Sequence, residues 1–79
     1  MLTLKIVSPE KIVFNGAIES VVVPGTAGQF EILEHHAPII SSLEKGVVTY
    51  KANGEESSIN ILGGFVAVKK DEVNVCVEV

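Results

Sequence analysis

An all-β chain, folded as a compact two-sheet antiparallel β-sandwich, is predicted by three observations. The composition holds 13 Val and 8 Ile against 5 Leu and 5 Ala, and β-branched side chains suit a pleated surface better than a helix. Apolar residues recur at a period of two almost everywhere. Turn-forming residues punctuate the chain at the short spacing of a sandwich or barrel. At 79 residues the chain suits one domain, spanning 1–79, without a large core.

The elements follow in order. Leu2, Leu4 and Ile6 alternate with Thr3 and Lys5, and Ser8-Pro9-Glu10 ends that strand because proline fixes φ and donates no hydrogen bond. Lys11 to Phe14 forms a second strand, and Asn15-Gly16 predicts a type I′ hairpin to a partner at Ile18 to Val23, since both residues tolerate positive φ. Glu44-Lys45-Gly46 and Ala52-Asn53-Gly54 bracket a strand at Val47 to Lys51. Ile59 to Leu62 begins another that breaks at Gly63-Gly64 and resumes from Phe65 to Val68. Beyond the polar turn Lys69-Lys70-Asp71, Val73, Val75, Val77 and Val79 share one face, and Glu72, Asn74, Cys76 and Glu78 the other. Two stacked sheets are the way so small a chain buries these apolar faces.

Several function classes are disfavoured. Six Lys and no Arg against ten acidic residues leave a net charge of -4, the wrong sign for neutralising phosphates, so no nucleic-acid partner is expected. No apolar run approaches the roughly 20 residues of a spanning helix, and the start lacks the pattern of a signal peptide, so no direct membrane insertion is expected and cytoplasm is the default. The single Cys76 permits neither an internal disulfide nor a thiol-rich metal site. His35-His36 offers two imidazoles, but neighbours on an extended chain point apart and no third ligand follows at zinc-like spacing, so no metal is expected. The serines lack an Asp/His pair, and Glu10, Glu19 and Glu44 are isolated, which predicts a non-enzyme.

Gly25-Thr26-Ala27-Gly28 lacks the lysine and the helix N-terminus of a phosphate cradle; it reads as a strand connection whose glycines supply special backbone angles, and no cofactor is expected. Phe30 reads as a core residue and Gln29 as an exposed amide. From Ser57 to Val68 no residue is charged. That run reads either as a central strand covered on both sides or as a sheet face kept apolar for a partner.

The motifs with most information are Val21 to Ile40, VVVPGTAGQFEILEHHAPII, and Leu62-Gly63-Gly64-Phe65, flanked by Val7-Ser8-Pro9-Glu10, Phe14-Asn15-Gly16 and Val73-Asn74-Val75. Together they resemble the N-terminal domain of the epsilon subunit of bacterial F-type ATP synthases, over nearly the whole chain. The resemblance implies a β-sandwich in a noncatalytic central-stalk subunit that joins the gamma subunit to the c ring, so that proton-driven rotation is coupled to ATP synthesis. It implies a peripheral place on the cytoplasmic face of the bacterial inner membrane. Thr26, Ala27, Gly28 and Gln29 would face the c ring; Ser8, His36, Ala37, Pro38 and Ile40 would face gamma. Family members usually continue into two helices that inhibit ATP hydrolysis and in some members bind ATP; a chain ending at Val79 is expected to couple without that inhibition and to bind no nucleotide. Glu31, Glu34 and His35 depart from the family pattern, which commonly has glycine at 31 and Pro-Gly before the histidine. Two alternatives stand beside this: a biotinyl- or lipoyl-type carrier presenting Lys69 or Lys70 at a hairpin tip, and a small sandwich adapter that binds by strand addition.

Overall fold

The computed structural model describes residues 1–79, and it is built from strands alone. They are β1 (Leu2–Val7), β2 (Ile12–Ile18), β3 (Ser20–Gly25), β4 (Gly28–Ile32), β5 (Ile39–Leu43), β6 (Gly46–Ala52), β7 (Glu55–Ile61), β8 (Gly63–Lys69) and β9 (Glu72–Glu78). With no helix present, none is long and apolar enough to cross a membrane. The all-β reading holds, and the strand ladder runs β2-β1-β9-β8-β5-β3-β6-β7, with β4 on the free edge of β3. Between β5 and β3 the ladder is carried by the one residue pair Leu43 and Gly25. The sheet therefore curls there into two facing layers, β2-β1-β9-β8-β5 and β4-β3-β6-β7, which is how a sandwich closes on one core.

That core follows the period-two alternation. Leu2, Leu4 and Ile6 of β1, Val66 and Val68 of β8, and Val73, Val75 and Val77 of β9 point inward against Val21, Val23, Ile32, Val48 and Ile61 of the other layer. No polar side chain is buried. Phe30 packs against this cluster from its edge, as its apolar ring predicts. Phe14 and Tyr50 close the gap between β2 and β6, their ring centroids 4.4 Å apart in a tilted pair.

Two features differ from the sequence reading. Asn15-Gly16 is not a turn: β2 runs straight through it, with Asn15 paired to Lys5 and Gly16 to Leu4. The turn is made earlier, where Ser8 N–H donates to the Lys11 carbonyl at 2.9 Å and Lys11 N–H to Ser8 Oγ at 3.3 Å. Continuous pairing along β1 outweighs the local preference of Asn-Gly, and the ring of Phe14 lies over the bare Gly16, 3.4 Å from where a Cβ would stand. Asn-Gly does make its turn at Asn53-Gly54, where φ is 54° and 77° and Glu19 caps the Gly54 N–H at 2.8 Å. Secondly, β1 and β9 pair in parallel, Leu4 with Val73 and Ile6 with Val75, whereas every other pairing is antiparallel. Each already has a hairpin partner on its other edge, and the parallel register sets their buried rows side by side. With sixty-four residues (8–71) between them, the return needs no crossover helix.

The Lys69-Lys70-Asp71 turn forms as predicted, with Lys70 and Asp71 at positive φ of 51° and 61°. It lies beside the chain start and the β4–β5 turn. The Met1 α-amino group pairs with Glu34 Oε2 at 2.5 Å, which raises the amine above its ordinary 8.0 and lowers the carboxyl below its ordinary 4.5; the hydrogen bond between them is the largest cause in each. Glu34 contributes stability above its unfolded value and loses it as pH falls through the lowered folded value. The amine contributes below its unfolded value and loses it as pH rises through the raised one. Both contributions are complete between about pH 5.5 and about pH 7, inside the two ordinary values of 4.5 and 8.0. Urea midpoints of Glu34→Gln should fall below those of the parent in that window and converge with them at both ends.

Candidate functional site

The sandwich presents two surfaces that differ from an ordinary solvated one. The first is the β3–β4 tip. Gly25 and Gly28 face each other at the end of that hairpin, leaving Thr26 and Ala27 at its apex, and Gly28 adopts φ 133°, which disfavours any side chain. Gly25 cannot carry a side chain either, because a Cβ would meet the Gly28 carbonyl at 2.7 Å and the Phe30 ring at 2.9 Å. The apex is tied to the other layer: Thr26 N–H donates to the Ser42 carbonyl at 3.1 Å, and Glu44 N–H to the Pro24 carbonyl at 2.9 Å. The Thr26 and Ser42 hydroxyls are 2.8 Å apart. Thr26, Ala27, Gly28 and Gln29 are all exposed. They come together as one polar tip, tied to the other layer at Thr26.

The second surface is the outer face of the β2-β1-β9-β8-β5 layer. Strand register sets Ser42, Phe65, Cys76 and Val7 in one row across it, and Ile40, Ala67, Asn74 and Lys5 in the next. Lys5, on β1, is the one charged residue of these rows, and the β5, β8 and β9 positions carry no charge. Ile40 is 81% exposed and Phe65 49%, the two large apolar side chains of the band. Their strand neighbours Ser41 and Val66 point the other way, Val66 into the core. The 57–68 run is not one strand: its first part lies in β7, the exposed end strand of the other layer, and its second part in β8; only β8 is internal to its sheet, covered on its inner face and bare and apolar on its outer one.

The residues predicted by resemblance fall around this band. Ile40 lies within it, and Ala37 and Pro38 lead into β5 from one side, exposed. Ser8 lies at the opposite edge, beside a shallow hollow bounded by Val7, Phe65 and Cys76. Its hydroxyl also serves its own turn. His36 turns its ring Nδ1–H to the Ala37 carbonyl at 2.8 Å. Phe65 and Val7 stand in the motifs that carry the resemblance, but neither they nor Ala67 and Cys76 are among the contact residues it implies. The uncharged run and the alternation of Phe65 and Ala67 with Val66 and Val68 carried the signal, but choosing which face is bare requires the register. Lys69 pairs with Glu72 as the last rung of β8 and β9, so Lys70 and Asp71 alone form that tip.

The sequence profile of the family described as ATP synthase, delta/epsilon chain, β-sandwich domain, matches residues 1–79. The chain belongs to this family. Among curated relatives, the ATP synthase epsilon chain of Synechococcus sp. strain CC9902 is 41% identical over 76 residues, 96% of this chain and 56% of the relative. That of Leptospira borgpetersenii is 39% identical over 74 residues, covering 94% of this chain and 58% of the relative. The chain thus spans little more than half the length of these epsilon chains. Two solved structures share its fold. A chain of the Euglena gracilis mitochondrial ATP synthase, in a structure of OSCP, F1 and c-ring, superposes with a TM-score of 0.90 at 16% identity, over 96% of this chain and 49% of that one. A chain of the Tetrahymena thermophila mitochondrial ATP synthase central stalk and c-ring superposes at 0.84 and 13% identity, over 99% of this chain and 63% of that one. The delta/epsilon sandwich is therefore kept where sequence identity has largely gone, as expected of a fold specified by alternation and register.

Proposed function

We propose that this chain is the sandwich of a noncatalytic central-stalk subunit in a proton-translocating F-type ATP synthase, joining gamma to the c ring so that the two turn together. The observation that carries the reading is the exposed apolar band of Ile40, Phe65 and their row neighbours on the outer face, in a family whose members are epsilon chains and whose fold is found in central-stalk and c-ring assemblies. Gamma covers the band, with Ile40, Phe65 and Ala67 at its centre and Ser8, His36, Ala37 and Pro38 around it. The tip, Thr26, Ala27, Gly28 and Gln29, meets polar loops of the ring through backbone groups and the Gln29 amide. The chain works as a coupler because close-packed interiors transmit strain instead of absorbing it. Its place is peripheral, on the cytoplasmic face of the bacterial inner membrane. Inhibition of ATP hydrolysis, which would ask for helices, is not assigned to these residues. Family membership leaves the carrier reading of Lys69 and Lys70 without support.

Calorimetric titration with the cognate gamma subunit tests this. Stoichiometric binding is expected, and Ile40→Glu should weaken it at least about tenfold by setting a charge in the desolvated centre of the contact. A folded chain that gives no heat with gamma, or an Ile40→Glu protein that binds as well as the parent, would overturn the reading.

A further inference from the structure

Away from the tip and the apolar band, the fold assembles one set of metal-ligating side chains that sequence spacing conceals. His35-His36 has no third donor nearby in the chain, but the fold brings one from the β8–β9 tip. Glu34, His35 and Asp71 each place one ligand atom within 4.8 Å of the others. Asp71 is held from behind: His35 N–H donates to its Oδ1 at 2.6 Å, leaving Oδ2 3.6 Å from His35 Nδ1. On the other side of the ring, Nε2 lies 4.0 Å from Glu34 Oε1. Donors bound at about 2.0–2.2 Å from a tetrahedral ion stand roughly 3.3–3.6 Å apart. Asp71 Oδ2 and His35 Nδ1 already have that separation, and closing Glu34 onto them takes a rotamer change in a side chain that is exposed.

We propose that Glu34, His35 and Asp71 form a surface site for a divalent ion of the zinc class. The donor set decides the class. An imidazole beside two carboxylates suits a borderline ion; magnesium and calcium take oxygen alone, and copper(I) would want sulfur. Water completes the coordination. The ligand nearest the core is the one already oriented by a backbone N–H, the arrangement by which outer-shell hydrogen bonds aim a first-shell ligand. The Met1 α-amino group holds the same Glu34 carboxylate through Oε2, so closing Glu34 onto the ion exchanges that pair for the metal bond. Bound there, an ion would tie the β4–β5 turn to the β8–β9 tip beside the start of β1. This inference is independent of what covers the apolar band.

Calorimetric titration of the purified protein with zinc chloride at neutral pH, in a buffer that does not chelate, tests it. One saturable site is expected, with Kd on the order of micromolar to tens of micromolar, and thermal unfolding should rise by roughly 10 °C at a hundredfold excess over Kd. His35→Gly removes the imidazole at a position whose φ of 67° suits glycine, so it keeps the fold; it and Asp71→Asn should each weaken binding about tenfold or more. His36→Gln should leave it unchanged. Absence of saturable zinc binding, binding undiminished in His35→Gly, or binding lost in His36→Gln would overturn the site.

Discussion

Gly64→Ala will unfold the sandwich, or leave it folded only marginally. Gly64 takes φ 149° on β8 opposite Val77, and a Cβ built there falls 2.0 Å from the Cys76 carbonyl oxygen and 3.0 Å from its carbon. Neither neighbour is a side chain that can swing aside; both belong to the backbone of β9, held in the ladder with β8. Relief requires parting the two strands at the middle of their layer. The expected cost is on the order of 4–5 kcal/mol or more, against a total stability of roughly 4–12 kcal/mol for a chain of this length. Gly28→Ala is the control, since it shares a positive φ of 133° but has nothing within 4 Å of its Cβ; it should cost only about 1–2 kcal/mol. Urea unfolding followed by circular dichroism separates them. If the two substitutions cost the same, the close approach of β8 to β9 at Gly64 is wrong.

Phe65→Asp and Val66→Asp, one position apart, should fail in opposite ways. Val66 is fully buried, and a carboxylate there meets no hydrogen-bond donor, so the loss should exceed about 4 kcal/mol and the protein should not fold at neutral pH. Phe65 faces out from the same strand. Phe65→Asp should keep stability within about 1 kcal/mol of the parent while weakening gamma binding roughly thirtyfold or more, as when an aromatic anchor is lost from the centre of an interface. A denaturation midpoint and a binding isotherm for each variant are sufficient. Val66→Asp protein that folds normally would mean that the two faces of β8 have been exchanged.

Alternation made much of this architecture readable. Leu2, Leu4 and Ile6, or Val73, Val75 and Val77, declare a buried face without reference to any other strand. What local pattern could not supply is anything decided by which strands meet. Asn15-Gly16 has the chemistry of a hairpin turn and is overruled by six residues of β1 that pair straight past it. The apolar band was half visible, as an uncharged run, but Cys76 and Val7 join it only because β9 lies in register beside β8 and β1 beside β9. His35 and Asp71 meet across 36 residues, and no spacing rule reaches that far. The tip at Thr26 to Gln29 was legible because its glycines serve a short-range purpose.

The parallel pairing of β1 with β9 has a consequence for the order of events as the chain is made. The first hairpin, β1 and β2, leaves the ribosome with one edge of β1 unpaired, and its proper neighbour, β9, follows β1 only after sixty-four further residues (8–71). Until residues 72–78 are available, the row Leu2, Leu4 and Ile6 lacks its neighbouring buried row, Val73 and Val75. Assembly therefore waits in its decisive step for β9 to emerge, and the loop-closure entropy of the intervening chain must be overcome before that contact rewards it. Folding should be slow for so short a protein. The nascent hairpin, with a bare edge and an apolar face, is the species for which a chaperone would matter most.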